Sequence, residues 1–390
     1  MKTIICRFIN YTSYFCNTSK HQNTMEYQKL DLRIENSKSI EPKSIRWRSP
    51  SNIALVKYWG KYGQQLPRNP SISLTLNNAA SDTTLRYSPK QNNEPVDLSF
   101  YFEGKKRLDF AVRIEKFLIS LLPIFPFIEQ VHFKIESSNS FPHSAGIASS
   151  ASAMSALALC LCSMEKSIFG TLQNEQAFLQ KASHIARLGS GSASRSIYPH
   201  IAVWGEHKKI DASSNLYAIP YADQVHQIFQ SYHDDILIIS KKEKSVSSGA
   251  GHGLMNNNLY ADNRYIQANQ RLDHLLAAMK VGDLETFGEI TEAEALTLHA
   301  LMMTSSPPYL LMEPNSIAAI RAVQAFRNDT KLPLYFTLDA GPNLHLLYPD
   351  SIAGTVQRFI ESELLDFCEN EIYLPDYCGQ GPEEIKEAIQ

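Results

Sequence analysis

The chain has 390 residues, of which 44% are hydrophobic and 20% charged, with a formal net charge of −3. That length is too great for one compact core and predicts two domains. The balance excludes wholesale disorder and gives no general attraction to nucleic acid or to an anionic membrane.

Residues 1–40 differ in character from the rest of the chain and are expected to form a poorly ordered leader. Asn10 and Thr12 interrupt its short apolar patch and no small-residue cleavage site is clear, which argues against a secretory signal; Met25 offers an alternative start. "SIRWRSPSNIALVKYW" alternates and then runs apolar, as a strand entering a packed sheet does. "SISLTLNNAASDTTLRYS" predicts a pair of strands with a turn near Asn77 and Asn78. Leu108, Val112, Ile114, Leu118 and Leu122 recur at helical spacing until the proline-rich "PIFPF" stops them. After a strand at "VHFKIES" comes "GIASSASAMSALALCLCSM", which serines cut and which therefore reads as a buried helix rather than a membrane span. Helix, small-residue loop and strand then succeed one another through "NEQAFLQKASHIARLGSGSASRSIYPHIAVWGEH".

The domain boundary is placed near residue 220, giving units 41–220 and 221–390. Past it, "HDDILIIS" predicts a strand, and the charged, then glycine-rich "KKEKSVSSGAGHGLMNNN" a mobile segment. Helical stretches at 265–303 and 315–329 precede "PLYFTLDAGPNLHLLYPD", a strand, tight turn and strand, with a further helix near 350–366. Hairpins mixed with helices predict an α+β fold rather than a regular βαβ series. Cys6, Cys16, Cys160, Cys162, Cys368 and Cys378 form no CxxC pair or zinc-ligand pattern, which favours reduced, buried thiols in the cytoplasm.

Four stretches carry candidate chemistry. In "FPHSAGIASSASA" small residues open a helix, whose unpaired N–H groups attract anions; the competing reading is an ordinary cap packed tightly. "GSGSASRS" sets Gly and Ser residues before Arg195, a planar fork suited to carboxylate or phosphate, or else a cap for the preceding helix. "KYWGKYG" places Lys57 and Lys61 around two aromatics, which suits a bound anion or two snorkelling lysines. Asp339, in "LDAGPN", ends an apolar strand, where a carboxylate is either functional or the start of an Asx-turn. His299, His252 and His345 read as a helix face, a loop and a strand face, with no Ser-His-Asp or metal-ligand set.

Taken in order, "PSNIALVKYWGK", "NPSISLTL", "NSFPHSAGIASSASA", "ARLGSGSASRSIY" and "LDAGPNLHLLY" resemble the diphosphomevalonate decarboxylases of the GHMP kinase superfamily. The resemblance spans residues 47 to about 348. It implies a two-domain fold, with a ribosomal-S5-like N-terminal domain and a ferredoxin-like C-terminal domain around a cleft, usually in a homodimer. It further implies ATP-dependent decarboxylation of (R)-5-diphosphomevalonate to isopentenyl diphosphate in isoprenoid biosynthesis, with ATP as co-substrate and Mg2+.

By the same matching, Asp339 orients or deprotonates the 3-hydroxyl, Arg195 and Asn52 hold the substrate carboxylate, and Lys57 sits beside the phosphoryl path. Tyr58, Trp59, Gly60, Lys61, Arg107, Ser190, Gly191, Ser192, Ala193, Ser194 and Ser248 fall to the substrate, Ser248 on a closing loop. Gly146, Ala148, Ser149 and Ser150 fall to the ATP phosphates, with Ser149 or Ser150 as the candidate Mg2+ contact.

The chain departs from the family at "KYWGKYG" (family KYWGKRD), "SSASA" (SSAAG), "RSIYPH" (RSLYGG) and "EAEALTLHA", which keeps only His299 and Ala300 of the family's D-S-N-x-F-H-A. These changes spare the catalytic set and bear on whether the substrate carries one phosphate or two. The alternatives are a decarboxylase of mevalonate 5-phosphate, a kinase that stops at phosphorylation, and an inactive binding protein of the same fold.

Overall fold

The computed structural model describes residues 30–142 and 147–386. Most of the expected leader lies outside the described residues. Its last part does not behave as one: Leu32 is buried in the first core, and Ile34 exchanges hydrogen bonds with the Gln130 side chain at 2.8 and 2.9 Å.

The strands are β1 (Lys43–Val56), β2 (Lys61–Tyr62), β3 (Leu66–Pro67), β4 (Ser71–Pro89), β5 (Asp97–Phe102), β6 (Lys105–Lys106), β7 (Val131–Asn139), β8 (Ile201–Trp204) and β9 (Ala218–Pro220), then β10 (His233–Leu237), β11 (Tyr335–Thr337), β12 (Leu344–Tyr348), β13 (Tyr373–Leu374) and β14 (Glu383–Glu384). The helices are α1 (Leu108–Ser120), α2 (Ser149–Phe169), α3 (Glu175–Gly189), α4 (Ser248–Leu254), α5 (Ala261–Val281), α6 (Leu284–Met303), α7 (Pro314–Thr330) and α8 (Ala353–Phe359). One sheet runs β14-β1-β4-β7-β5-β6, with β8 on β4 and β9 on β8; a second runs β11-β12-β10-β13. The end of the chain therefore returns to the first sheet, where β14 pairs with β1.

α2 is apolar almost all round and is buried between β1, β4 and α3. Among the described residues it alone is long and apolar enough to cross a membrane, and the core occupies that surface instead. Gly170 ends it at a φ of +67, the left-handed cap that glycine adopts without strain. In the second sheet the period of two sorts side chains between layers. Tyr335 and Leu347 face α5 and α6, while Phe336, Leu346 and Tyr348 face α7 and α8. The α5–α6 layer also packs on Ile53, Leu55, Ile72 and Leu74 of the first sheet, so one core joins the two halves. The site lies at this seam.

Two expectations are corrected, at residues 71–89 and 265–303. Residues 71–89 form one strand and not a hairpin, because Asp376 supplies acceptors at the two asparagines that signal a turn. Its carboxylate takes the N–H groups of Asn77, Asn78 and Ala79 at 2.8, 2.9 and 2.7 Å, while a register shift between Pro50 and Asn52 bends the pairing with β1. Within the glycine-rich segment 241–258 a short helix, α4, forms, and its N-cap Ser247 accepts from the Ala250 N–H. The stretch 265–303 is broken in two at Gly282, and Asp283 caps the new helix by accepting from Thr286 at 3.1 Å.

Candidate active site

β1 ends at Val56, and the next residue, Lys57, is almost fully buried. Its ammonium donates to the Ala54 carbonyl at 2.6 Å and to Asp339 Oδ1 at 2.9 Å. Asp339 stands just beyond the apolar strand β11 and exposes a quarter (25%) of its side chain to a cavity of about 250 Å³. Burial pushes its carboxyl up, but Lys57, aided by His345 and Arg195, outweighs this and holds it below the ordinary carboxylate range. His299 Nε2 donates to the Asp339 backbone carbonyl at 3.1 Å and fixes the turn; burial lowers this imidazole to about 4, so it is neutral at pH 7.

Arg195 lies in the Gly-Ser loop, which folds as a 3-10 segment over Gly191–Ile197. Its Nε donates to Ser73 at 3.0 Å and Nη1 to Ser71 at 2.7 Å, so β4 orients the guanidinium. Burial lowers it to about 10, which leaves the cation intact at neutral pH. Asn52 donates to the Ser192 carbonyl at 3.1 Å and to Ser196 at 2.8 Å, while its Oδ1 is buried without a partner. Gly191 is required: a Cβ there would stand 2.7 Å from the Trp204 ring and 2.9 Å from Tyr58.

Lys57, Tyr58, Trp59, Lys61, Ala148, Ser150, Ser190, Gly191, Ser192, Arg195, Ser248 and Asp339 all line this one cavity. Ser149 opens α2 beside it, Asn52 and Gly60 support the wall, and Ala193 and Ser194 are buried behind the loop. Gly146 lies outside the described residues. Arg107 is not brought to the cavity; it pairs with Asp109 at 2.7 Å and covers the Phe110 ring at 4.3 Å.

The start of α2 suits an anion. Ala148 holds a left-handed φ of +46, no described side chain caps the helix, and its first turn has no acidic residue. Ser150 and Ser190 stand 3.2 Å apart at the mouth, offering hydroxyls to a phosphate or its cation.

Four further groups complete the site. Lys244 donates to Ser248 at 2.9 Å and to the Ala340 carbonyl at 3.3 Å, and burial lowers its ammonium against the opposing pull of Asp339. His252 of α4 accepts the Gly60 N–H at 3.0 Å beside the Tyr58 and Trp59 rings; burial lowers it to about 3. Glu294 of α6, wholly buried, accepts the Lys57 N–H at 2.8 Å. His299 is the fourth. A carboxylate at the head of the apolar run "EALTLHALMM" is the sequence signal for Glu294, and His299 is kept from the family motif; His252 and Lys244 carry no signal beyond their residue type.

Residues 49–216 match the diphosphomevalonate decarboxylase-like N-terminal domain and residues 235–376 the mevalonate 5-diphosphate decarboxylase C-terminal domain. The diphosphomevalonate decarboxylase of Aspergillus fumigatus is 30% identical over 331 residues, covering 80% of this chain and 79% of its own. That of Ganoderma lucidum is 31% identical over 329 residues, 77% of each. A solved structure described as MDDEF in complex with MVAPP, AMPPCP and magnesium superposes with a TM-score of 0.74 at 27% identity, over 89% of this chain and 100% of that one. Mevalonate diphosphate decarboxylase from Staphylococcus aureus does so with a TM-score of 0.74 at 28% identity, over 89% and 99%. The fold is the α+β, two-domain fold of the GHMP kinase superfamily, and the chain belongs to the diphosphomevalonate decarboxylase family.

Proposed function

We propose that the protein catalyses the ATP-dependent decarboxylation of (R)-5-diphosphomevalonate to isopentenyl diphosphate, releasing ADP, phosphate and CO2. The observation that carries this reading is the Lys57–Asp339 pair facing the same cavity as Arg195. Asp339, held ionised by Lys57, accepts the proton of the tertiary 3-hydroxyl as its oxygen takes the γ-phosphoryl group. Lys57 stands beside that path and offsets the charge passing through it. The C3–O bond then breaks toward phosphate while the C–C bond to the carboxylate yields CO2, and the electron pair left behind forms the double bond. Arg195, locked by Ser71 and Ser73, and Asn52 hold the carboxylate so that the two breaking bonds align.

Ser149, Ser150 and the N–H groups opening α2 receive the ATP phosphates; Mg2+, when bound, neutralises charge on them. Tyr58, Lys61 and the loop Ser190–Ser194 take the substrate phosphates. Ser248 and Gly249, which open α4 and line the cavity, close over the substrate. The reading extends to a cytoplasmic homodimer divided near residue 220. The free, buried thiols of Cys160, Cys162, Cys368 and Cys378 fit a reducing compartment, and light scattering tests the dimer.

Purified protein with ATP, Mg2+ and mevalonate 5-diphosphate should release CO2 and isopentenyl diphosphate, with a higher kcat/KM than on mevalonate 5-phosphate. Turnover of the monophosphate alone would replace the substrate assignment, and no product from either would end it.

A further inference from the structure

Glu294 is a buried carboxylate with every lone pair engaged. Arg264 Nη1 and Arg271 Nη1 donate to its Oε1 at 2.6 and 2.9 Å, and Arg264 Nη2 and the Lys57 N–H to its Oε2 at 2.5 and 2.8 Å. Four donors thus meet one acceptor-only group. The Lys57 carbonyl is held as well: it accepts from Arg264 Nη2 at 3.2 Å and from Asn69 Nδ2 at 3.0 Å. Glu294 lies on α6 and Arg264 on α5, whereas Lys57 directly follows a strand of the first sheet. A buried ion pair from one half of the chain therefore grips the backbone of a residue from the other half, and that residue's ammonium touches Asp339.

A helix held to a strand merely for stability needs no charged group, since apolar packing does this without the desolvation penalty of burying charge. Here the penalty is accepted at a residue whose position sets the ammonium-to-carboxylate distance. We infer that Glu294 is a positioning residue, which with Arg264 clamps the Lys57 backbone so that the ammonium is fixed against Asp339 for phosphoryl transfer. This rests on the reading of Lys57 and Asp339 as the reaction centre.

The charged or titratable groups facing Asp339 are Lys57 after β1, Arg195 of the Gly-Ser loop, His299 of α6, His345 of β12 and Lys244 ahead of α4. Of these the clamp governs Lys57 alone. Loosening it moves the ammonium away from Asp339 and lets burial raise that carboxyl, so the acid limb of kcat/KM moves to higher pH.

The test compares Glu294→Gln with Arg271→Met in steady-state kinetics across pH and in thermal melts. An amide has one acceptor oxygen for the four donors, so Glu294→Gln breaks the clamp; Arg271→Met removes the outer ion pair and the hydrogen bonds to Ala293 and Thr297, all away from the Lys57 peptide. Glu294→Gln should lower kcat about tenfold or more while KM for ATP stays within about twofold, and should raise the acid limb. Arg271→Met should melt earlier with kcat and limb as in wild type. Should Glu294→Gln not fold, Glu294→Asp, which keeps the charge on a shorter stem, should show the same limb shift with a smaller loss of kcat. Loss of kcat in step with melting temperature in every variant, or an unmoved acid limb, would overturn the inference. Wild-type protein without turnover would instead overturn the function it rests on.

Discussion

Lys57 and Asp339 lie 282 positions apart and meet at 2.9 Å, joining the end of β1 to the turn after β11. A nearly buried ammonium holds a carboxylate that opens on a cavity in its ionised form, and the proposed site is arranged around that contact.

The ion pair sets a pH dependence. Burial alone would raise the Asp339 carboxyl, and Lys57 is the largest influence opposing it. The base form therefore persists to low pH in the wild type. In Lys57→Met burial prevails and the acid limb of kcat/KM should move to higher pH, together with a fall in kcat. An unmoved limb would detach Lys57 from this role.

Arg195 is held by two serines as a fork, and an ammonium cannot reproduce that geometry. Arg195→Lys should lower kcat/KM for the phosphorylated mevalonate by about a hundredfold, with nucleotide affinity unchanged. Steady-state kinetics beside nucleotide titration checks both parts.

How much of this is legible in the sequence differs by residue. Asp339, Arg195, Lys57 and Ser150 stand in short motifs whose residue types announce their chemistry, and all four line the cavity. Glu294 and His299 sit on helical faces and touch backbone groups of Lys57 and Asp339; the first contact exists only once the two halves pack, the second only once α6 packs beside the turn after β11. β4 hides its true form for a related reason. Two asparagines in succession signal a turn locally, yet Asp376, 299 positions beyond Asn77, captures their N–H groups and keeps the strand continuous. For Arg107 the family match is loose, and it stands outside the cavity in an exposed pair with Asp109.

That capture by Asp376 is itself testable. Asp376→Ala leaves the N–H groups of Asn77, Asn78 and Ala79 without their acceptor and should cost about 3 kcal/mol. A urea midpoint within error of wild type would show that the strand holds without it.

Burial lowers His184 and His299 to about 4 and His252 to about 3. The unfolded chain therefore binds protons that the native fold refuses. The stability these groups confer is complete above their unfolded value near 6.5 and is lost as pH falls toward 4, at about 1.4 kcal/mol per histidine per pH unit. Melting temperature should fall between pH 7 and 5, and less steeply in His184→Gln. Identical slopes would contradict the assignment.

The most direct test of the account is a rapid-quench turnover of Asp339→Asn with ATP, Mg2+ and mevalonate 5-diphosphate. The amide keeps the shape of the site but cannot take the hydroxyl proton, so nucleotide should bind as in wild type while phosphoryl transfer falls by about a thousandfold or more. Near-normal formation of ADP, phosphate and CO2 by this variant would contradict it.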